Sequence, residues 1–166
     1  LLAHCATVDE ALARTDLLRG LHFLMLADRS HIAVIEIGPD DRIAVTEQTH
    51  GTLCHTNHFI APTLLDCNEI KPGVSSSTRL ARITELLAAA SRPLDAAACE
   101  TMLNDRHDGP DNSIFRTGGT PTATRTVAQW VVSIPPSGSP MLHARLLDPG
   151  QEPRDVRLDV EAALSQ

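Results

Sequence analysis

The sequence predicts an α+β fold, and three observations carry that prediction. Short strand-like runs separated by tight turns crowd the first sixty residues. A helical periodicity follows, with Leu80, Ile83, Leu86, Leu87 and Ala90 on one face. Strand patterns then return over 124–134 and 141–147. Strands, then helices, then strands imply a helical layer against antiparallel sheet.

Taken in order, Thr7-Val-Asp-Glu10 is a capping box, so a short helix is expected over about 7–15. Leu21–Leu26 and Ile32–Ile37 read as strands joined by the polar turn Asp28-Arg-Ser30. Gly38-Pro-Asp-Asp41 is a turn signal, Arg42–Glu47 a third strand and Thr52–His58 a fourth. Pro72–Arg79 opens a helix whose preceding serines offer N-cap oxygens. Pro93 ends that helix, and Asp95 can cap a second over about 95–105. Asn104–Thr120 is polar and glycine-rich, a loop with room for a short strand at Ser113–Arg116. Pro135–Pro140 is the turn between the last two strands, and the charged tail 149–166 is expected to be peripheral.

Composition bounds the function. The chain has 166 residues, 42% apolar, which suits one compact domain. The net charge is −7, with Lys71 the only lysine and no basic stripe, which argues against a nucleic-acid surface. No apolar run is long enough for a transmembrane helix. Cys5, Cys54, Cys67 and Cys99 show no zinc spacing. They read as reduced, mostly buried thiols of a cytoplasmic protein.

The segment Gly51-Thr-Leu-Cys-His-Thr-Asn57-His58 points to chemistry. Polar side chains crowd where a half-buried strand should hold Val, Ile or Leu, and burying them unpaired is costly. On a strand, His55 and Asn57 would share one face and Cys54, Thr56 and His58 the other. An Asn amide on a rigid strand can aim an N–H at the negative charge that develops during attack on a carbonyl. The plainer alternative is an Asn that ties down a turn. Cys54 and His58 lack the second ligand pair that a metal site needs. Asp105, Asp108 and Asp111 lack EF-hand spacing and read as a solvated turn. Trp130 is expected in the core, and Cys99 buried and inert.

Together, Thr7-Val-Asp-Glu10-Ala-Leu, Glu36 closing a strand, Gly51…His55-Thr-Asn57-His58-Phe59, Ser75-Ser-Ser-Thr-Arg79-Leu-Ala-Arg82 and Leu103-Asn-Asp-Arg-His107…Asn112-Ser-Ile114 resemble the acyl-coenzyme A:6-aminopenicillanate acyltransferase-like family. These are N-terminal-nucleophile (Ntn) hydrolases, related to choloylglycine hydrolases and penicillin V acylases. The resemblance covers residues 1–148, and the Thr-Asn-His and Ser-Ser-x-x-Arg pair is its most specific part.

The resemblance implies an αββα sandwich and acyl transfer or amide hydrolysis. It also implies a precursor that cleaves itself to expose a Cys, which attacks an amide or thioester carbonyl. Asn57 matches the oxyanion position. Arg79 matches an arginine that orients the catalytic amine or binds a substrate anion. His55, Ser75 and Ser76 become candidate substrate contacts, with a structural histidine and helix caps as their plainer readings.

Nothing in this sequence matches the nucleophile segment, which the family places well upstream of Thr-Asn-His. Leu1 is not a nucleophile, and Cys5 has no exposed α-amino group. The expectation is therefore a later portion of an Ntn domain, inactive alone, whose missing strands leave a sheet edge exposed. Its partners would be a companion N-terminal segment carrying the Cys and a small-molecule acyl substrate. No metal or redox cofactor is expected, and a coenzyme A thioester is the candidate acyl donor. A homo-oligomer is a further expectation. The rival from another class is a non-catalytic interaction or structural module on the same scaffold.

Overall fold

The computed structural model describes residues 4–20, 22–68 and 73–165. The fold is α+β: helices accompany two three-stranded antiparallel sheets. The chain divides into two compact units, Leu1–Leu80 and Ala81–Gln166. No helix of the described residues is long and apolar enough to cross a membrane.

In the first unit, helix α1 spans Val8–Ala13. Its cap is reciprocal but shifted by one residue: Thr7 Oγ1 accepts from Glu10 N at 3.1 Å, and Glu10 Oε2 accepts from Ala6 N rather than from the cap itself. Strands β1 (His22–Ala27), β2 (Ile32–Ile37) and β3 (Ile43–Gln48) form the sheet in that order. Leu21, the expected start of the first strand, lies outside the described residues.

Asp28 sets the first turn by accepting from Ser30 N and His31 N, and it reaches Val8 N at 2.8 Å to tie down α1. Burial pushes its carboxyl up, but these three N–H donors outweigh that and hold it below the usual range. Arg42 locks the β2–β3 side of the sheet to 63–66 through Asp66 Oδ1 and Oδ2, at 2.9 and 2.7 Å.

Both faces of this sheet are covered. Ile35 and Ile37 pack with Leu18, joined by Leu12, Leu24, Leu26 and Ile43. On the other face Phe23 and Ala44 pack with Phe59, Ala61 and Leu64. This double covering explains why β2 is buried almost throughout.

Thr52–His58 is not a strand. Its end, Thr56–His58, bonds to Ser76 of another element instead of to a neighbouring strand. Phe59–Ala61 leads into a single 3-10 helix, Pro62–Cys67.

Helix α2 runs Val74–Ala89 and begins on the Gly73 carbonyl, which accepts from Ser76 N and Ser77 N. The serines therefore lie inside the first turn rather than before it. Pro72 is outside the described residues. Leu80, Ile83, Leu86, Leu87 and Ala90 are all half-buried, while Ala81, Thr84, Glu85, Ala88 and Ala89 are exposed, so the periodicity holds.

In the second unit, α3 (Ala96–Leu103) is capped by Asp95, whose side chain accepts from Ala98 N at 2.7 Å. Helix α4 is the short turn Gly109–Asn112; Ser113–Arg116 forms no strand. Asp105 accepts from Arg82 and is held below the usual carboxylate range by that guanidinium. Strands β4 (Ala128–Ser133), β5 (Met141–Leu146) and β6 (Arg154–Asp159) form the second sheet in that order. The segment expected as a charged tail thus supplies an edge strand, and Asp159 then caps α5 (Val160–Leu164) by accepting from Ala162 N. Trp130 is not in the core: it is 74% exposed. Alternation sets it on the sheet face opposite Gln129, whose side chain bonds α3. The four cysteines are free and half-buried rather than mostly buried.

Candidate functional site

The site is assembled in the first unit from β2, the segment 55–61, Asn68 and the first turns of α2. It starts from an anomaly in β2. Glu36 is the lone charged residue of the strand Ile-Ala-Val-Ile-Glu-Ile and is 2% exposed. A buried carboxylate is tolerable only when hydrogen-bonded. Glu36 Oε2 accepts from Ile60 N at 2.8 Å and Oε1 from Ala61 N at 2.9 Å. The same Oε1 lies 3.7 Å from His55 Nε2.

His55 is buried too, its side chain 3% exposed. Its ring packs on Phe23 with centroids 4.6 Å apart, and its Nε2 is buried with no hydrogen-bond partner among the described residues. Phe59 is pinned through both backbone groups: its N donates to Asn68 Oδ1 at 3.0 Å and its carbonyl accepts from Asn68 Nδ2 at 2.9 Å. An irregular segment with its polar groups satisfied in this way can be as fixed as a strand.

The Thr-Asn-His triplet converges on Ser76, which is 7% exposed. Asn57 N donates to Ser76 Oγ at 2.9 Å, Thr56 Oγ1 donates to Ser76 O at 3.1 Å, and His58 Nδ1 lies 2.8 Å from Ser76 Oγ. Thr56 Oγ1 and His58 Nδ1 are themselves 3.2 Å apart. Ser76 Oγ donates to Thr56 Oγ1 at 3.1 Å, and the direction of its contact with His58 Nδ1 follows the tautomer of that ring. Burial pushes the His58 imidazole below its ordinary value. The His55 and Arg79 charges add to that, against the opposing pull of Glu36. A neutral His58 fits a ring that shares a neutral hydroxyl.

Three of the five candidate residues meet at the surface. Arg79 Nη2 donates to Asn57 Oδ1 at 2.9 Å, and Arg79 Nε is 3.5 Å from Ser75 Oγ. The two motifs, twenty-two residues apart, thus touch through their two most polar members. With its carbonyl oxygen held by a guanidinium, the Asn57 amide has one orientation, and Nδ2 is its donor end. Asn57 is exposed and Ser75 half-buried, whereas His55 and Ser76 lie beneath them with their side chains turned to the supporting contacts just described.

Sequence reading named Glu36, Thr56 and His58 as motif members without giving them a role here, and did not name Asn68. Glu36 carried a usable signal, a lone acid in a buried apolar run. Asn68 carried none, because its partners are nine residues away. Among the described residues, no group of three or more His, Cys, Asp or Glu could hold a metal ion. The arrangement can present one oriented amide donor beside a cation, which suits a reaction that builds negative charge on oxygen.

No curated protein matches the chain. The model of one family, acyl-coenzyme A:6-aminopenicillanic acid acyl-transferase, matches residues 1–141, a span that includes both motifs and the helix between β3 and β4 that carries Arg79. The touching Asn57 and Arg79 thus lie within a match over most of the sequence, and the chain belongs to the acyl-coenzyme A:6-aminopenicillanic acid acyl-transferase family.

Proposed function

We propose that this chain is part of an Ntn acyltransferase or amidase whose nucleophile is a Cys on a companion N-terminal segment, exposed by autoprocessing of a precursor. The family supplies the coarse role, acyl transfer. The Arg79–Asn57 hydrogen bond supports the oxyanion role of Asn57, because it fixes the donor end of the amide. The companion thiolate adds to the carbonyl of an amide or thioester, and the oxygen that becomes negative accepts from Asn57 Nδ2. Collapse of that adduct expels an amine or a thiol and leaves an acyl-enzyme thioester. Water or an acceptor amine then takes the acyl group and releases the Cys.

Arg79 orients Asn57 and offers positive charge to an anionic part of the substrate. Ser75, beside it, contacts substrate in this reading. His55 and Ser76 act from beneath by holding the segment. The chemistry needs no metal or redox cofactor, and a coenzyme A thioester is a suitable small-molecule donor.

The test uses the whole protein that contains this chain. Mass spectrometry should find a second polypeptide beginning with Cys, and iodoacetamide should label it and abolish acyl transfer. Asn57→Ala should lower kcat about a hundredfold to a thousandfold with folding intact. Acyl transfer that survives alkylation of every Cys would overturn the proposal.

A further inference from the structure

A second polar cleft lies in the second unit, and it stands independently of the acyl-transfer reading. It opens between the end of α3 and one face of the sheet β4–β5–β6, and its volume is about 190 Å³. Leu103 of α3 and Val131 of β4 are apolar members of its lining, and Arg145 of β5 lines it too.

Arg145 is the unusual member. Its Nε is shut off from solvent and makes no hydrogen bond among the described residues. Arginine keeps its charge at any ordinary pH, so it cannot relieve burial by losing a proton. A buried donor without an acceptor costs free energy and demands an explanation.

The strand register should have supplied the acceptor, since Arg145 stands opposite Gln129 on β4 and Asp155 on β6. Neither accepts a hydrogen bond from it among the described residues. Gln129 Nε2 donates to Leu103 O at 2.6 Å. Asp155 Oδ1 lies 3.1 Å from His143 Nε2, while His143 Nδ1 lies 2.6 Å from Glu100 Oε1. The imidazole thus takes one oxygen of each carboxylate of the cleft, and no side chain among the described residues accepts from Arg145.

We propose that this cleft binds a small monocarboxylate, its carboxylate on the Nη1 and Nη2 end of the Arg145 guanidinium and its short hydrocarbon part against Leu103 and Val131. A guanidinium presents paired N–H donors that match a carboxylate in plane. The cleft is smaller than the ~300 Å³ at which drug-sized pockets begin, so the ligand is correspondingly short.

The test is calorimetric titration of the 166-residue chain with butanoate, and with butanamide as the uncharged control. Butanoate should bind saturably at millimolar concentration, and butanamide about tenfold or more weakly. Arg145→Gln should lose butanoate binding by a similar factor while its thermal unfolding stays cooperative. Arg145→Lys, which keeps the charge and loses the fork, should retain only part of it. If Arg145→Gln fails to fold, Leu103→Phe narrows the cleft and should weaken butanoate with Arg145 in place. Absence of saturable binding overturns the proposal, as does equal affinity for amide and carboxylate, or undiminished affinity in the variant that folds.

Discussion

Arg79 Nη2 and Asn57 Oδ1 are 2.9 Å apart, and that contact makes one amide out of two sequence motifs into a directed donor. The amide could otherwise turn about its last torsion, which is broad and nearly two-fold. A charge-assisted bond to its oxygen removes that freedom, so the orientation of Asn57 depends on a residue in a different element.

Arg79→Lys is therefore not conservative here. Lysine is a point charge on a flexible stem and cannot hold both Asn57 Oδ1 and Ser75 Oγ from one plane. In the whole enzyme kcat should fall about tenfold to a hundredfold, less than for Asn57→Ala, which removes the donor itself. Steady-state kinetics of the two single variants and the double variant check this. The double variant should be no slower than Asn57→Ala, because the two residues act as a unit.

Glu36 should matter for stability more than its single charge suggests. Glu36→Gln leaves one carbonyl oxygen for two backbone N–H donors and turns an NH2 toward the other. A buried donor left without an acceptor costs about 1–3 kcal/mol. Urea unfolding should show a lower midpoint with an unchanged slope. The amides of Ile60 and Ala61 should lose hydrogen-exchange protection before those of β2. Equal protection at all these amides would show that Glu36 does not hold this segment.

Much of this architecture was legible in the sequence, and the failures share a cause. The strands β1 to β5, α2 and the Asp95-capped α3 obeyed local rules of alternation, periodicity and capping. Residues 52–58 broke them: Thr56, Asn57 and His58 bond to Ser76, about twenty residues away. Neighbouring Phe59–Ala61 is held by Glu36 and Asn68 in the same way. A pattern of polar residues announces that such partners exist but does not name them. The alternation argument accordingly paired His55 with Asn57, whereas the structure buries the first beneath Phe23 and leaves the second exposed. β6 was passed over because four of its six residues are charged, although Val156 and Leu158 alternate as an edge strand requires. Trp130 was assigned to the core by residue type, and type alone does not say which face of a strand is covered.

His58 should give the chain an acid-side pH dependence. Its value lies below the ordinary 6.5, so between the folded and unfolded values the unfolded chain holds more protons. Stability from this group is complete above 6.5 and drains away as pH falls through that value toward the folded one. His58→Gln should flatten that part of the stability profile. An NMR titration should find the His58 ring still neutral at a pH where exposed histidines have begun to charge. A His58 ring that titrates at or above 6.5 would remove the basis of this expectation.

His143 should act with the opposite sign. Hydrogen bonds to Glu100 and then Asp155 raise its value above the ordinary 6.5, so the folded chain holds the extra proton. Its contribution is therefore complete below 6.5 and is lost as pH rises through the raised folded value. Imidazolium donates through both nitrogens; after deprotonation one nitrogen becomes an acceptor facing a carboxylate, and one of the two contacts turns repulsive. Those contacts join α3 to β5 and β5 to β6, so amides of α3 and β6 should exchange faster at pH 8 than at pH 6 once the intrinsic chemical rate is divided out. Glu100→Gln removes the closer partner, at 2.6 Å against 3.1 Å, and should shift the His143 titration downward, with Asp155→Asn shifting it less. If both variants leave the titration of His143 where it was, the imidazole is not the link between these elements.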